Sequence, residues 1–205
     1  MSPLYWSAAS RELSERDPAM AELVVRYGAL ALVSRGDAFA TLARSIVGQQ
    51  ISVKAAEAVW GRFAALLGNV TPDRIIALGE PGLAGCGLSK RKIEYLCDLA
   101  CHFSSGALDP SAWERLDDEA VIAELTAVRG IGRWTAEMFL IFNQLRPDVF
   151  PLDDIGLQRA IFERYFAGEK QSRRTLAAFG ERWRPWRSVA TWYLWRSLDP
   201  LPVEY

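Results

Sequence analysis

The chain has 205 residues but only three cysteines and one histidine. Cys86, Cys97 and Cys101 are too few and too unevenly placed for a disulfide framework, and read as reduced structural thiols. Cys97 and Cys101, four apart with His102 beside them, imitate a metal site, but zinc sites show tighter pairs and no second histidine is present. No apolar run approaches a membrane span; the longest, around Tyr27 to Val33, is far too short. The first residues lack a basic region followed by an apolar run, so no secretory signal is expected. The expected compartment is the cytoplasm, with association with the nucleoid in a bacterium. An excess of charge is missing as well: the net charge is −1, which argues weakly against a nucleic-acid partner. Its distribution is uneven, with nine Arg or Lys against five Asp or Glu from Ile155 to Tyr205. A basic stretch of this kind suits phosphate, or is the solvated face of helices. Alternating apolar and polar runs, low-complexity segments and solenoid repeats are absent, which excludes extended sheets and repeat arrays.

Half of the residues are hydrophobic and 24% are charged, an ordinary globular balance. The length supports one domain, or two small lobes sharing a cleft. Eight tryptophans are heavy usage, and an indole is costly to bury unless its N–H finds a partner. Apolar spacing predicts an all-α fold. Asp17-Pro18 opens a helix over Ala19–Val33. Further helices are expected over 37–47, over 53–67 after Ser52, from Thr71 towards Leu78, and from Ser89 through Phe103. Asp117 caps another, carrying Val121, Ile122 and Leu125. The remaining predicted helices cover 133–145, 155–166, 172–179 and 186–197, with 147–152 an extended loop.

Two stretches carry candidate chemistry. Arg129-Gly130-Ile131-Gly132-Arg133 joins two predicted helices through a turn of a few residues. Glycines there permit backbone angles closed to other residues and remove side chains, so a phosphate can approach main-chain N–H groups at the positive end of the second helix. Such an anchor ignores base sequence; the plainer alternative is a tight turn with no ligand. Downstream, Asp153 and Asp154 stand between a proline-containing apolar loop and a new helix. Either or both can cap that helix, or hold a carboxylate against a low-dielectric wall facing a developing cation.

Taken in order, Val47-Gly48-Gln49-Gln50-Ile51-Ser52, Gly87-Leu88-Ser89-x-x-Lys92, the hairpin with Trp134, Leu152-Asp153-Asp154 and the run Glu181 to Ser188 resemble the helix–hairpin–helix DNA glycosylase superfamily. Within it the chain looks like the DNA-3-methyladenine glycosylase II family, over residues 18 to 198. The resemblance implies a single unit of two helical lobes flanking a cleft. One lobe covers 36–145, with the hairpin at 125–136; the other joins 1–35 to 146–205. It places the catalytic aspartate on Asp154, leaving Asp153 a loop or capping role. Trp134 stands where the bifunctional branch has its catalytic lysine, so no imine and no strand-cleaving lyase activity are expected. Trp134 and Trp195 line the base pocket, and Met138 falls where some members have another pocket aromatic. Gln50 is the residue that wedges into the gap left by the extruded nucleotide, flanked by Gln49 and Ile51. The resemblance implies that Gly130, Ile131, Gly132 and Arg133 grip the DNA backbone; Arg133, Lys90, Arg91, Lys92, Arg184 and Arg187 are each candidates either for phosphate contacts or for a solvated surface.

The resemblance also implies a sodium or potassium ion at the hairpin, held by main-chain carbonyls of Thr126, Val128 and Ile131, although Arg129 stands where many members have proline. No other cofactor is required. No iron–sulfur cluster is expected, because all three cysteines precede the aspartate. The additional N-terminal β lobe of larger members is expected to be lacking, which leaves Tyr5 and Trp6 without an assigned role. The implied activity is monofunctional excision of alkylated purines of the 3-methyladenine and 7-methylguanine type from duplex DNA, by a monomer with no membrane association. Alternatives are a glycosylase for neutral lesions such as hypoxanthine or etheno adducts, a non-catalytic helix–hairpin–helix DNA-binding module, and a helical protein–protein adaptor.

Overall fold

A computed structural model describes residues 3–198, and among them there is no β-strand. Twelve α-helices follow in order: α1 Trp6–Arg16, α2 Pro18–Tyr27, α3 Ala38–Gly48, α4 Val53–Leu67, α5 Pro72–Leu83, α6 Lys90–Ser104, α7 Pro110–Trp113, α8 Asp118–Thr126, α9 Arg133–Phe142, α10 Ile155–Tyr165, α11 Arg173–Gly180 and α12 Arg187–Leu198. Capping explains most of the starts. Asp17, Asp37, Ser52, Thr71, Ser89, Asp109, Asp117, Asp154 and Ser172 each accept an N–H of the following first turn. No described helix is long and apolar enough to cross a membrane.

The chain divides into two compact units. Among the described residues, one comprises 3–34 and 140–198, and the other is Arg35–Phe139. In the first, α12 packs against α2 and α10, and every residue from Ser188 to Arg196 is buried. A helix buried on all sides is the axis of a core rather than an amphipathic cover. Leu13, Met20, Leu23, Ile161, Trp183 and Tyr193 complete that core. In the second unit α3 packs on α4 and α6, and α5 on α6, around Phe39, Ile46, Phe63, Ile75, Leu96 and Trp113.

Several expected boundaries shift. The helix expected to reach Val33 stops at Tyr27, with Gly28 at its C-cap. The Ala-Leu stretch beyond favours helix, but Leu32 is drawn into the core while Leu30 and Val33 stay exposed. The helix expected to end near Leu78 breaks at Gly79 (φ 59°) and resumes to Leu83. The one expected to reach Leu145 ends at Phe142, and Leu145 itself turns left-handed at φ 53°. Helix α1 went unrecognised in the sequence, and it gives Tyr5 and Trp6 structural roles. The Tyr5 hydroxyl donates to the Leu145 carbonyl at 2.6 Å, its ring stacks on Trp186, and Trp6 packs on Trp192 and Tyr193.

Candidate active site

Asp154 is 9% exposed and stands at the N-cap of α10. Its Oδ1 accepts two bonds, from the Leu157 backbone N–H at 2.6 Å and from the Trp195 indole N–H at 2.9 Å. Asp154 is thus a cap of α10, and its capping oxygen is also held by an indole. The loop before it is stapled down. Ser188, fully buried, donates its backbone N–H to the Pro147 carbonyl and accepts the Val149 N–H on its hydroxyl. Arg187 grips the Asp148 carboxylate through Nε and Nη2 at 2.7 and 3.0 Å, and Arg184 adds another bond at 2.9 Å. Gln158 donates to the Leu152 carbonyl.

Trp195 is held as firmly. Phe142 stacks on it at 5.7 Å with planes 12° apart. A Cβ at Gly156 would sit 3.2 Å from Asp154 Oδ1 and 3.5 Å from two atoms of the Trp195 indole. A side chain at position 156 would press on the carboxylate and lie in contact with the indole. The Asp153 carboxylate takes both arms of Arg173, at 2.8 and 3.1 Å.

The second unit carries the glycine turn. Gly130 has φ 85°, and a Cβ there would come within 2.1 Å of the Tyr95 ring. Gly132 precedes α9, its carbonyl accepting the Ala136 N–H. It has no side chain to cap the helix, and a Cβ there would meet nothing within 4 Å. The turn is therefore open on the side where a Gly132 side chain would stand. Trp134 follows, 39% exposed. Its ring lines a pocket of about 260 Å³ together with Arg44, Gln49, Gln50, Ile51 and Glu57. Within this unit the hairpin, Trp134 and the Gln49–Ile51 loop come together. Met138, one turn along α9, is buried and does not line this pocket. Ile131 is also buried, and its N–H donates to the Val128 carbonyl.

Several cations expected on phosphate are engaged otherwise. Arg133 bonds Glu119 at 2.8 Å and the buried Glu137 at 2.9 Å. The bond to Glu119 raises the guanidinium further and holds the Glu119 carboxyl below its usual range. Arg184 and Arg187 brace the Asp148 loop. Lys92 donates its ammonium to the Val47 carbonyl at 2.7 Å, and burial lowers its pKa. Lys90 and Arg91 remain exposed. Much of the basic C-terminal stretch is likewise paired, as in Arg159 with Glu163 and Arg164 with Glu22.

The sequence reading missed the supports: Asp98, whose carboxylate accepts the Arg129 N–H at 2.8 Å, Tyr95 beneath Gly130, and Asp148. It also missed Ile155, an 82% exposed apolar side chain directly after Asp154. Among the described residues no three His, Cys, Asp or Glu side chains are grouped to hold a metal. At the hairpin, Thr126 ends α8, where helix carbonyls lack intrahelical partners. The Val128 carbonyl accepts the Ile131 N–H, which leaves it one lone pair. With Ile131 these are neutral oxygens at a negative dipole end, a donor set that fits a weakly held monovalent cation.

Residues 43–185 match the model of the HhH-GPD superfamily base excision DNA repair proteins. The DNA-3-methyladenine glycosylase 1 of Schizosaccharomyces pombe is 32% identical over 90% of this chain and 83% of its own length. The DNA-3-methyladenine glycosylase of Saccharomyces cerevisiae is 39% identical, but the chain spans only 50% of it. Among solved structures, a DNA-3-methyladenine glycosidase from Bacillus halodurans superposes with a TM-score of 0.79 at 36% identity, over 89% of this chain and 90% of that one. The S. pombe 3-methyladenine DNA glycosylase in complex with abasic DNA gives 0.79 at 31% identity, over 97% and 99% of the two chains. The motif order, the all-helical architecture and these matches agree: the chain belongs to the HhH-GPD superfamily of base excision DNA repair proteins, in its DNA-3-methyladenine glycosylase branch.

Proposed function

We propose that this protein is a monofunctional DNA glycosylase that excises alkylated purines of the 3-methyladenine and 7-methylguanine type from duplex DNA. The observation that carries the reading is Asp154: a nearly buried carboxylate with one oxygen fixed by two N–H donors. Cleaving an N-glycosidic bond makes the sugar oxocarbenium-like as the base departs. A fixed carboxylate beside that carbon stabilises the charge and orients or deprotonates the attacking water. Alkylation at N3 or N7 already leaves the purine cationic, so no acid is required to expel it. An exposed indole such as Trp134 suits a cationic ring through its negative π face.

The target must be flipped out of the stack, at a cost of about a few kcal/mol. In this reading the hairpin main chain from Gly130 to Gly132 holds phosphate while Gln50 fills the vacated space. The carbonyls of Thr126, Val128 and Ile131 would hold a sodium or potassium ion, which supplies positive charge beside the phosphate. Trp134 offers no amine where a lyase would need one. The protein acts as a monomer in the compartment that holds the DNA.

The test is Asp154→Asn on a duplex containing 7-methylguanine. Excision is expected to fall roughly a hundredfold or more, with affinity for the duplex retained. Near-normal excision refutes the assignment, and borohydride trapping of the unmodified protein on DNA refutes the monofunctional reading.

A further inference from the structure

The loop between α3 and α4 is short and strained. Gln49 is extended at φ −55° and ψ 132°, and Gln50 is left-handed at φ 58°. A non-glycine residue there costs on the order of 1 kcal/mol and persists only where its surroundings determine it. Three contacts supply that determination, all within one unit. Lys92 Nζ donates to the Val47 carbonyl at the end of α3. Ser52 caps α4 on the far side of the loop. Between them, Gln49 Nε2 donates to the Gly130 carbonyl of the hairpin at 2.9 Å. A carbonyl can only accept, so the amide must present its N–H there.

The hairpin rests on the same helix that carries Lys92. Asp98 of α6 accepts the Arg129 N–H, and Tyr95 of α6 lies against Gly130. Helix α6 thus holds the loop near its own start and the hairpin from its middle, and the Gln49 side chain closes the triangle.

We infer that Gln49 is a positioning residue that locks the Gln50 loop to the glycine hairpin, so that gripping phosphate and filling the gap are acts of one rigid piece. The inference rests on the reading of Gln50 as the gap-filling side chain. Gln49 then acts through Gln50, not through a separate contact with DNA. Two independent anchors would let the wedge move while the backbone is held; a locked pair presents it at a fixed height above the gripped phosphates.

The experiment is single-turnover excision of 7-methylguanine at saturating enzyme, with the dissociation constant for undamaged duplex measured in parallel. Q49M keeps the length of the side chain and removes the donor. Its rate is expected to fall about tenfold, the upper range for one neutral hydrogen bond, while undamaged-duplex affinity stays within about twofold. Q49K, whose ammonium can reach the Gly130 carbonyl, recovers most of the rate. In a Q50A background, Q49M adds less than about a further twofold, because the partner it acts through is gone.

Losses that multiply in the double variant, a Q49M rate equal to wild type, or a rate that falls in step with affinity each overturn the proposal. Should Q49M fail to fold, Q49E, isosteric and without a donor, is held to the same ordering. Fluorescence of 2-aminopurine opposite an abasic-site analogue reads insertion of Gln50 without chemistry. The ordering is expected there even if the unmodified protein releases no base, which separates this proposal from the glycosylase reading.

Discussion

At Asp154 one carboxylate oxygen takes two donors from different helices. Its Oδ1 caps α10 and accepts the Trp195 indole N–H, so the carboxylate that fixes a helix start is itself fixed in direction. Replacing Trp195 by Phe keeps an aromatic ring and deletes the donor. A hydrogen bond to a charged group contributes about 1.5 to 3 kcal/mol. The turnover rate is therefore expected to fall about tenfold to a hundredfold, with little change in KM; an unchanged rate would show that the indole N–H does not position the carboxylate. The sequence marks an aspartate before a helical run as a cap, but it leaves Asp153 and Asp154 equal until the family resemblance singles out Asp154. It could not show that Trp195 donates to that aspartate. The two are 41 residues apart, and only the burial of α12 brings them together. For the same reason the pairing of Arg184 and Arg187 with Asp148, 36 and 39 residues away, is not legible in the sequence.

At the scale of elements, the hairpin's two glycines do different work. Gly130 is required by φ 85° and by the Tyr95 ring. Gly130→Ala is expected to destabilise the protein by about 2 to 4 kcal/mol, from backbone strain and overpacking together. Gly132 meets neither condition. Gly132→Ala is expected to leave thermal stability nearly intact yet weaken duplex binding, since its methyl group narrows the approach to the N-terminus of α9. Paired melting and binding curves decide this, and equal stability losses at both positions would contradict it. Helix existence was largely readable from period and caps. Helix ends were not, wherever a long-range demand competed with propensity. Leu32 leaves a helix-favouring stretch because the core takes its side chain, and nothing local announces that.

For the whole molecule, burial of tyrosine sets an alkaline limit. Tyr5, Tyr165 and Tyr193 all lie in the unit built from the two chain ends. Burial raises their hydroxyls, Tyr5 to about 12 and the other two in the same direction. The unfolded chain releases these protons near the ordinary value of 10 while the folded chain retains them. Stability from these groups is therefore complete below pH 10 and falls as pH climbs towards 12. Melting curves across this range should show a falling midpoint, and a flat profile would contradict the burial of these rings.

The central claim is chemical, and mass spectrometry of bases released from randomly methylated duplex DNA tests it most directly. The account predicts free 3-methyladenine and 7-methylguanine from the unmodified protein, intact phosphodiester strands, and almost nothing from Asp154→Asn. No released base from the unmodified protein, or equal release from both, would contradict it.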